Sequence, residues 1–330
     1  MNQEQLHYRV TGDAKGFKGA INQSQKSLTG FQQQIKSATS TLKLLFVGAL
    51  TGAGVQGLRT AKQFDKSMTQ IKSLVGIAGD EVDRMGDIAL EMATKTGRSA
   101  NEAAEALFFI TSAGLRGSDA MEVLEASLKA AAIGLGETKT ISDLATSALN
   151  AYGSANLSAT EATDVMVTAV REGKLEASEL AQSMGRVLPL ASAMGVEFHE
   201  VGAAFAALSR TGTNAAEAST QVRGILASLL KPTQQAEEAL SEMGLSSKEL
   251  RLQLREKGLL STLQTLQKNF EGNDEASSKV FGNVRALSGV LDLMGANAEG
   301  TAEIFNSLTN SLNATSEAFE VVEESVSQKL

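Results

Sequence analysis

The sequence predicts an all-α protein: a succession of short antiparallel helical hairpins in a compact bundle or solenoid-like body, with a short N-terminal strand and long flanking helices. Three observations predict it. Apolar residues make up 42% of the 330-residue chain while aromatic residues make up only 4%, without Trp, so the core must be built from Ala, Leu, Val and Met. Such cores suit closely packed helices better than sheets, which favour β-branched and aromatic side chains. Glycines at 114, 134, 153, 173, 195 and 212 recur at intervals of roughly 20 residues, the period of a string of helical units. Finally, Ser99 with Glu102, Asp119 with Glu122, Thr140 with Asp143, Ser158 with Glu161 and Asn214 with Glu217 each place a side-chain acceptor three residues before a carboxylate. That spacing lets both satisfy free amides in a first helical turn, and glycine at the far end adopts the left-handed conformation without a Cβ clash.

From the start of the chain, Leu6, Tyr8 and Val10 alternate with His7, Arg9 and Thr11, a period-two pattern that predicts a short strand before Gly12 and Asp13. Phe17, Ile21, Leu28, Phe31 and Ile35 then recur at helical spacing among Gln, Ser and Lys, giving an amphipathic helix over 17–41 whose stripe serves either the chain's own body or self-association. Leu44 to Leu58 carries no charge. As a helix it spans about 22 Å, short of the roughly 30 Å hydrocarbon core of a bilayer, so a buried helix is expected. Gly48 and Gly52 would allow another helix to approach it closely. Residues 1–60 are therefore expected to form a leading strand and helices, residues 61–300 the helical core, and residues 301–330 the start of a coiled-coil-like helix, truncated at Leu330.

Within the core, Phe64, Met68, Ile71, Leu74 and Val75 make a helical stripe closed by Gly76 and Gly79, and Val82, Met85, Ile88, Ala89 and Met92 make the next. Ala103, Ala106, Leu107 and Ile110 form the stripe of the helix begun at Ser99, with Ala104 and Phe108 to the side. Pro189 falls inside the helical pattern of 178–195 and is expected to kink it; Pro232 is expected to end the helix of 215–231 and to start the next. Leu250, Leu254, Leu260, Leu263 and Leu266 are the stripe of a longer charged helix that Gly258 breaks. Ile304, Leu308, Leu312, Phe319 and Val322 keep a period near 3.5 to the end of the sequence.

The net charge of -8 hides an asymmetry. Residues 1–72 hold ten Lys or Arg against Glu4, Asp13 and Asp65, and the remainder is strongly acidic. The lysines are widely spaced without interleaved aromatics, which fits a solvated face better than nucleic-acid recognition. There is no Cys, so disulfides and thiolate metal sites are excluded, and Met1 to Val10 lacks the basic and apolar regions of a secretory signal; synthesis in the cytoplasm is expected.

Candidate chemistry is sparse. Gly52, Gly54 and Gly57 spell G-x-G-x-x-G, with Asp80 downstream, the arrangement that brings backbone close to a pyrophosphate and an acid to a ribose hydroxyl. Only helical periodicity follows, so the strand–turn–helix context is missing. His199 sits beside Glu197 and Glu200, but adjacent helical positions point in different directions, and a structural or surface role is expected for it; His7 is isolated. Glu102, Glu105, Glu122, Glu125, Glu161 and Asp164 are expected mostly in first turns, favourably placed towards the helix dipole. No catalytic, cofactor-binding or metal residue is assigned, no cofactor is expected, and the chain is expected not to be an enzyme.

The serial order of several segments is familiar. Arg98–Leu115, Leu144–Gly153, Leu188–Gly195, Leu208–Gly212, Val222–Pro232 and Phe281–Leu293 resemble, in that order, the core region of phage tail tape measure proteins of the TP901 type, over roughly two thirds of the chain. The resemblance implies a structural protein of the phage tail lumen that helps set tail length and is released during DNA ejection. It implies as partners the tail tube protein, tail assembly chaperones and tail tip or baseplate proteins, with self-association through helices, membrane contact on ejection and no sequence-specific nucleic acid. A proline at position 189 matches the family. The alternative, drawn from another class, is a helical-repeat module that binds a partner protein and has no enzymatic activity.

Overall fold

A computed structural model describes residues 54–270 and 273–327. The chain divides between Lys62 and Gln63 into two units, and the second holds nearly all of the described helices. Among the described residues there are sixteen α-helices and no strand, so the protein is all-α. They are α1 (Gly54–Gln70), continued by a wider turn over Ile71–Val75, α2 (Gly79–Lys95), α3 (Ala100–Ser112), α4 (Gly117–Ala132), α5 (Thr138–Tyr152), α6 (Ala159–Glu172), α7 (Ala177–Met184), α8 (Leu188–Met194), α9 (Phe198–Arg210) and α10 (Ala215–Leu230). There follow α11 (Gln234–Glu242), α12 (Ser247–Phe270), α13 (Asp274–Val280), α14 (Val284–Met294), α15 (Ala298–Thr309) and α16 (Ala314–Ser327). The expected strand over 6–10, the amphipathic helix over 17–41 and most of the apolar stretch 44–58 lie outside the described residues.

The body is arranged around α9, in which every residue except His199 and Arg210 is buried. Helices α6, α10 and α15 pack most heavily against it, with α7, α8, α12 and α14 touching its remaining sides. A helix enclosed this fully must present small residues in several directions, and Gly202, Ala203, Ala204, Ala206 and Ala207 supply them around the fully buried Phe205. Gly202 has no room to spare: a Cβ there would stand 2.7 Å from Val165 Cγ1 on α6. The α10–α14 contact is built the same way, with Gly224 facing Ala286 and Gly289 facing the Gln221 side chain. Where side chains are this small, helix axes approach towards the short end of the usual 8–10 Å range.

Of the five expected boxes, one is complete and two show only the bond to the cap side chain. Ser99 accepts from Glu102 N at 3.2 Å, Asn214 accepts from Glu217 N at 2.9 Å, and Ser158 with Glu161 makes the full reciprocal pair. The other two fail for one reason. Helices α4 and α5 begin earlier, with Arg116 and Glu137 at the residue before the first turn and no side-chain cap bond, so that Asp119 and Thr140 are already helical and cannot turn back to a free amide. Of the six glycine stops, five have the positive φ that a left-handed end requires, and Gly173, at φ -101°, does not. Its hydrogen side chain answers crowding instead: a Cβ there would lie 2.6 Å from Ser209 Oγ and 3.0 Å from Ala206 Cα of α9.

Pro189 overturns one expectation, and Pro232 follows the end of its helix as expected but does not start the next. Pro189 does not kink a helix; the chain breaks between α7 and α8, and Pro189 sits in the first turn of α8, where a missing donor is harmless. Pro232 lies in the short link after α10, and Thr233 is the cap of α11, accepting from Ala236 N at 3.2 Å. Gly258 does break α12, with φ 84° and ψ 177°. The break shifts the buried register, so Leu259 is buried where the spacing predicts Leu260. The stripe expected to run unbroken from Ile304 to Val322 is also interrupted: the chain turns at 310–313, and Leu312 is 63% exposed.

Candidate functional site: two buried carboxylates that hold helix starts

Asp164 lies on α6, 1% exposed. Its sequence context predicts an ordinary first-turn acid, but it is the sixth residue of its helix and faces a distant part of the chain. Its Oδ2 accepts from Asn313 N at 2.7 Å and its Oδ1 from Thr315 N at 2.8 Å. A side chain from α6 thus does for α16 what a local cap does elsewhere, and its charge meets the positive end of that helix. The turn that brings these amides round needs Asn313 at φ 68°, the one non-glycine residue with positive φ among those described; Asn tolerates this conformation better than most.

Glu200, on α9, works in two places. Its Oε2 accepts from Glu197 N at 3.3 Å, completing a capping box for its own helix, with Glu197 in the role usually taken by Ser or Thr. Its Oε1 accepts from Leu259 N at 2.6 Å, the first amide after the break in α12. Gly258 is needed there twice over, because its ψ near 180° with positive φ is closed to L side chains and because a Cβ would strike the Glu200 carboxylate. Burial is the main influence on Glu200 and pushes its carboxyl above the usual range; the amides of Leu259 and Glu197 pull the other way.

Tyr152 stands close enough to Glu200 and Glu197 to feel their charges. Tyr152 donates from its hydroxyl to Val196 O at 2.9 Å, and its ring meets Phe198 edge-on with centroids 6.0 Å apart. Burial, then the charges of Glu200 and Glu197, push the phenol upwards. Ser192 donates to Ala151 O at 2.6 Å, tying α8 to the end of α5. His199 is held downwards chiefly by burial, with Glu197, 3.4 Å away, acting against it. Among the described residues, no group of three or more His, Asp or Glu is placed to hold a metal ion.

The remaining sequence candidates are dispersed. Gly54 and Gly57 fall inside helix α1, which removes the strand–turn–helix geometry a dinucleotide would need; Gly52 and His7 lie outside the described residues. Asp80 opens α2 and pairs with Arg84 on the surface. Glu102 and Glu161 are first-turn acids as expected; Glu105 pairs with Lys139 across helices and Glu125 with Lys129 along one. Asp164 and Glu200 escape sequence reasoning as anchors because their partners lie 149 and 59 residues away, and no local pattern carries such a pairing.

Asp164 and Glu200 thus serve helix starts, in a described body that is all α-helical. Comparison with known proteins gives the family. The model of the phage-related minor tail protein family matches residues 86–284, and the chain belongs to that family. It is 27% identical over 341 residues to the tape measure protein of Pneumococcus phage Dp-1, covering 98% of this chain and 29% of that one. It is 23% identical over 339 residues to the probable tape measure protein of Clostridium phage phiCD119, covering 98% and 35%, and 24% identical over 306 residues to that of Escherichia phage P2, covering 85% and 37%. The chain spans about a third of the length of these relatives. No solved structure matches.

Proposed function

We propose that this chain acts as part of a tape measure protein: a structural component of the phage tail that lies in the tube lumen during assembly, helps set tail length and leaves ahead of the DNA. The observation that carries the reading is similarity to proteins named as tape measures over 98% of the chain in two relatives, in a protein whose described body is entirely helical. The tail tube protein, assembly chaperones and tip or baseplate proteins are its partners on this reading, with self-association through helices. Successive helices act as antiparallel hairpins, and the chain has no catalytic role.

A folded body cannot measure at full extension. A ruler advances about 1.5 Å per residue as continuous helix, so the helices must separate for this region to count towards length. Interfaces lined by Ala and Gly bury little area each, which favours separation in steps over one all-or-none event. The test is an in-frame deletion of residues 234–294 in the phage gene, with tail length read by electron microscopy. Tails shortened by about 1.5 Å per residue removed are expected. Normal numbers of tails at wild-type length would overturn the proposal.

A further inference from the structure

We propose that α16 is a detachable strap, held at its start by Asp164 and able to lift from α4 and α6 as a unit while the rest of the body stays folded. Burial of this helix, over 314–324, is concentrated at its start. Ala314 and Thr315, at its start, are buried, and no residue from 316 to 324 is; Val321 is 68% exposed. Helix α9, by contrast, is enclosed along its length. The two Asp164 hydrogen bonds fall at that buried end.

The charge along α16 also disfavours tight docking. It carries Glu317, Glu320, Glu323 and Glu324 and no basic residue, and acids towards a helix C-terminus oppose the dipole. Its first turn borders a small cleft lined by Glu122, Glu125 and Lys129 of α4 and Thr160 and Thr163 of α6. Beside that cleft the Thr315 hydroxyl is buried without a hydrogen-bond partner. Lifting α16 would return the Thr315 hydroxyl to water, so part of the loss of contact is offset on release. These contacts stand apart from any role in a tail, and the strap would exist whether or not the chain measures length.

The absence of Cys makes the test direct. Ala314→Cys introduces a single thiol at a 5% exposed site, reactive to an aromatic disulfide reagent only when the start of α16 lifts. Adding Asp164→Ala is expected to raise the labelling rate about ten- to a hundredfold, and Asp164→Asn, which keeps the shape and one acceptor, about several-fold. Hydrogen exchange of the α9 amides should stay within about twofold of the parent in both. An unchanged labelling rate, an equal acceleration in α9, or failure of both Asp164 variants to fold would each overturn the strap.

Discussion

Substituting Gly258 by Ala tests whether Glu200 and the break in α12 form one device. The backbone at Gly258, with φ 84° and ψ 177°, lies in a region essentially reserved for glycine, and forcing an L residue there costs about 1–3 kcal/mol. The new Cβ must also displace the Glu200 carboxylate, whose bond to Leu259 N is 2.6 Å long and buried; losing it costs about 1–3 kcal/mol more. Reduced freedom of the unfolded chain returns about 0.4–1 kcal/mol, so a net loss of about 2–5 kcal/mol is expected. Glu200→Ala alone should cost about 1–3 kcal/mol by leaving the Leu259 amide unpaired. The double variant should fall short of the sum by about 1–2 kcal/mol, since without the carboxylate the Cβ has no charged group to displace. Urea unfolding of all four proteins, followed by loss of helical circular dichroism, measures the coupling. Additivity within about 0.5 kcal/mol, or a Gly258→Ala cost below about 1 kcal/mol, would refute the reasoning.

Three further outcomes follow from the same contacts. Phe205→Ala, at the fully buried centre of α9, should destabilise by about 3–5 kcal/mol in the same unfolding assay. Because the Glu200 carboxyl is raised above its ordinary 4.5, its contribution is fullest below that value and is lost as pH rises through the folded-state value. Glu200→Gln should therefore gain on the parent as pH rises above 4.5, and a difference independent of pH would contradict the assignment. Ser158→Ala removes a real capping box and should cost about 1 kcal/mol, whereas Thr140→Ala removes none and should cost less than about 0.5 kcal/mol. Equal thermal shifts for these two would mean the helix starts are misassigned.

Much of the fold is legible in the sequence because its signals are local. Periodic Ala and Leu, an acceptor three residues before an acid, and glycine where φ must be positive each report on one helix, and most helices fall where these signals place them. The same locality explains the errors. Asp119 and Thr140 carry the spacing of a box, but each helix starts earlier, and spacing alone does not rank competing starts. Gly173 reads like the other glycine stops, yet its position is set by Ser209 and Ala206 on another helix. Pro189 reads as interior to one helix because α7 and α8 share a pattern across the gap between them. The anchors Asp164 and Glu200 are invisible for the same reason: a buried carboxylate facing an amide far along the chain looks like any other helical acid.

The division of labour between inner and outer charges bears on ionic strength. Most carboxylate–ammonium or carboxylate–guanidinium pairs among the described residues join positions four apart on one exposed helix, as in Arg84 with Asp80 and Lys279 with Glu275. Counter-ions weaken such pairs readily, but they reach groups shielded by neighbouring helices far less. Concentrated salt should therefore strip the outside of its attractions while Asp164 and Glu200 keep their amides, so brine and dilute buffer should find the helices in the same arrangement.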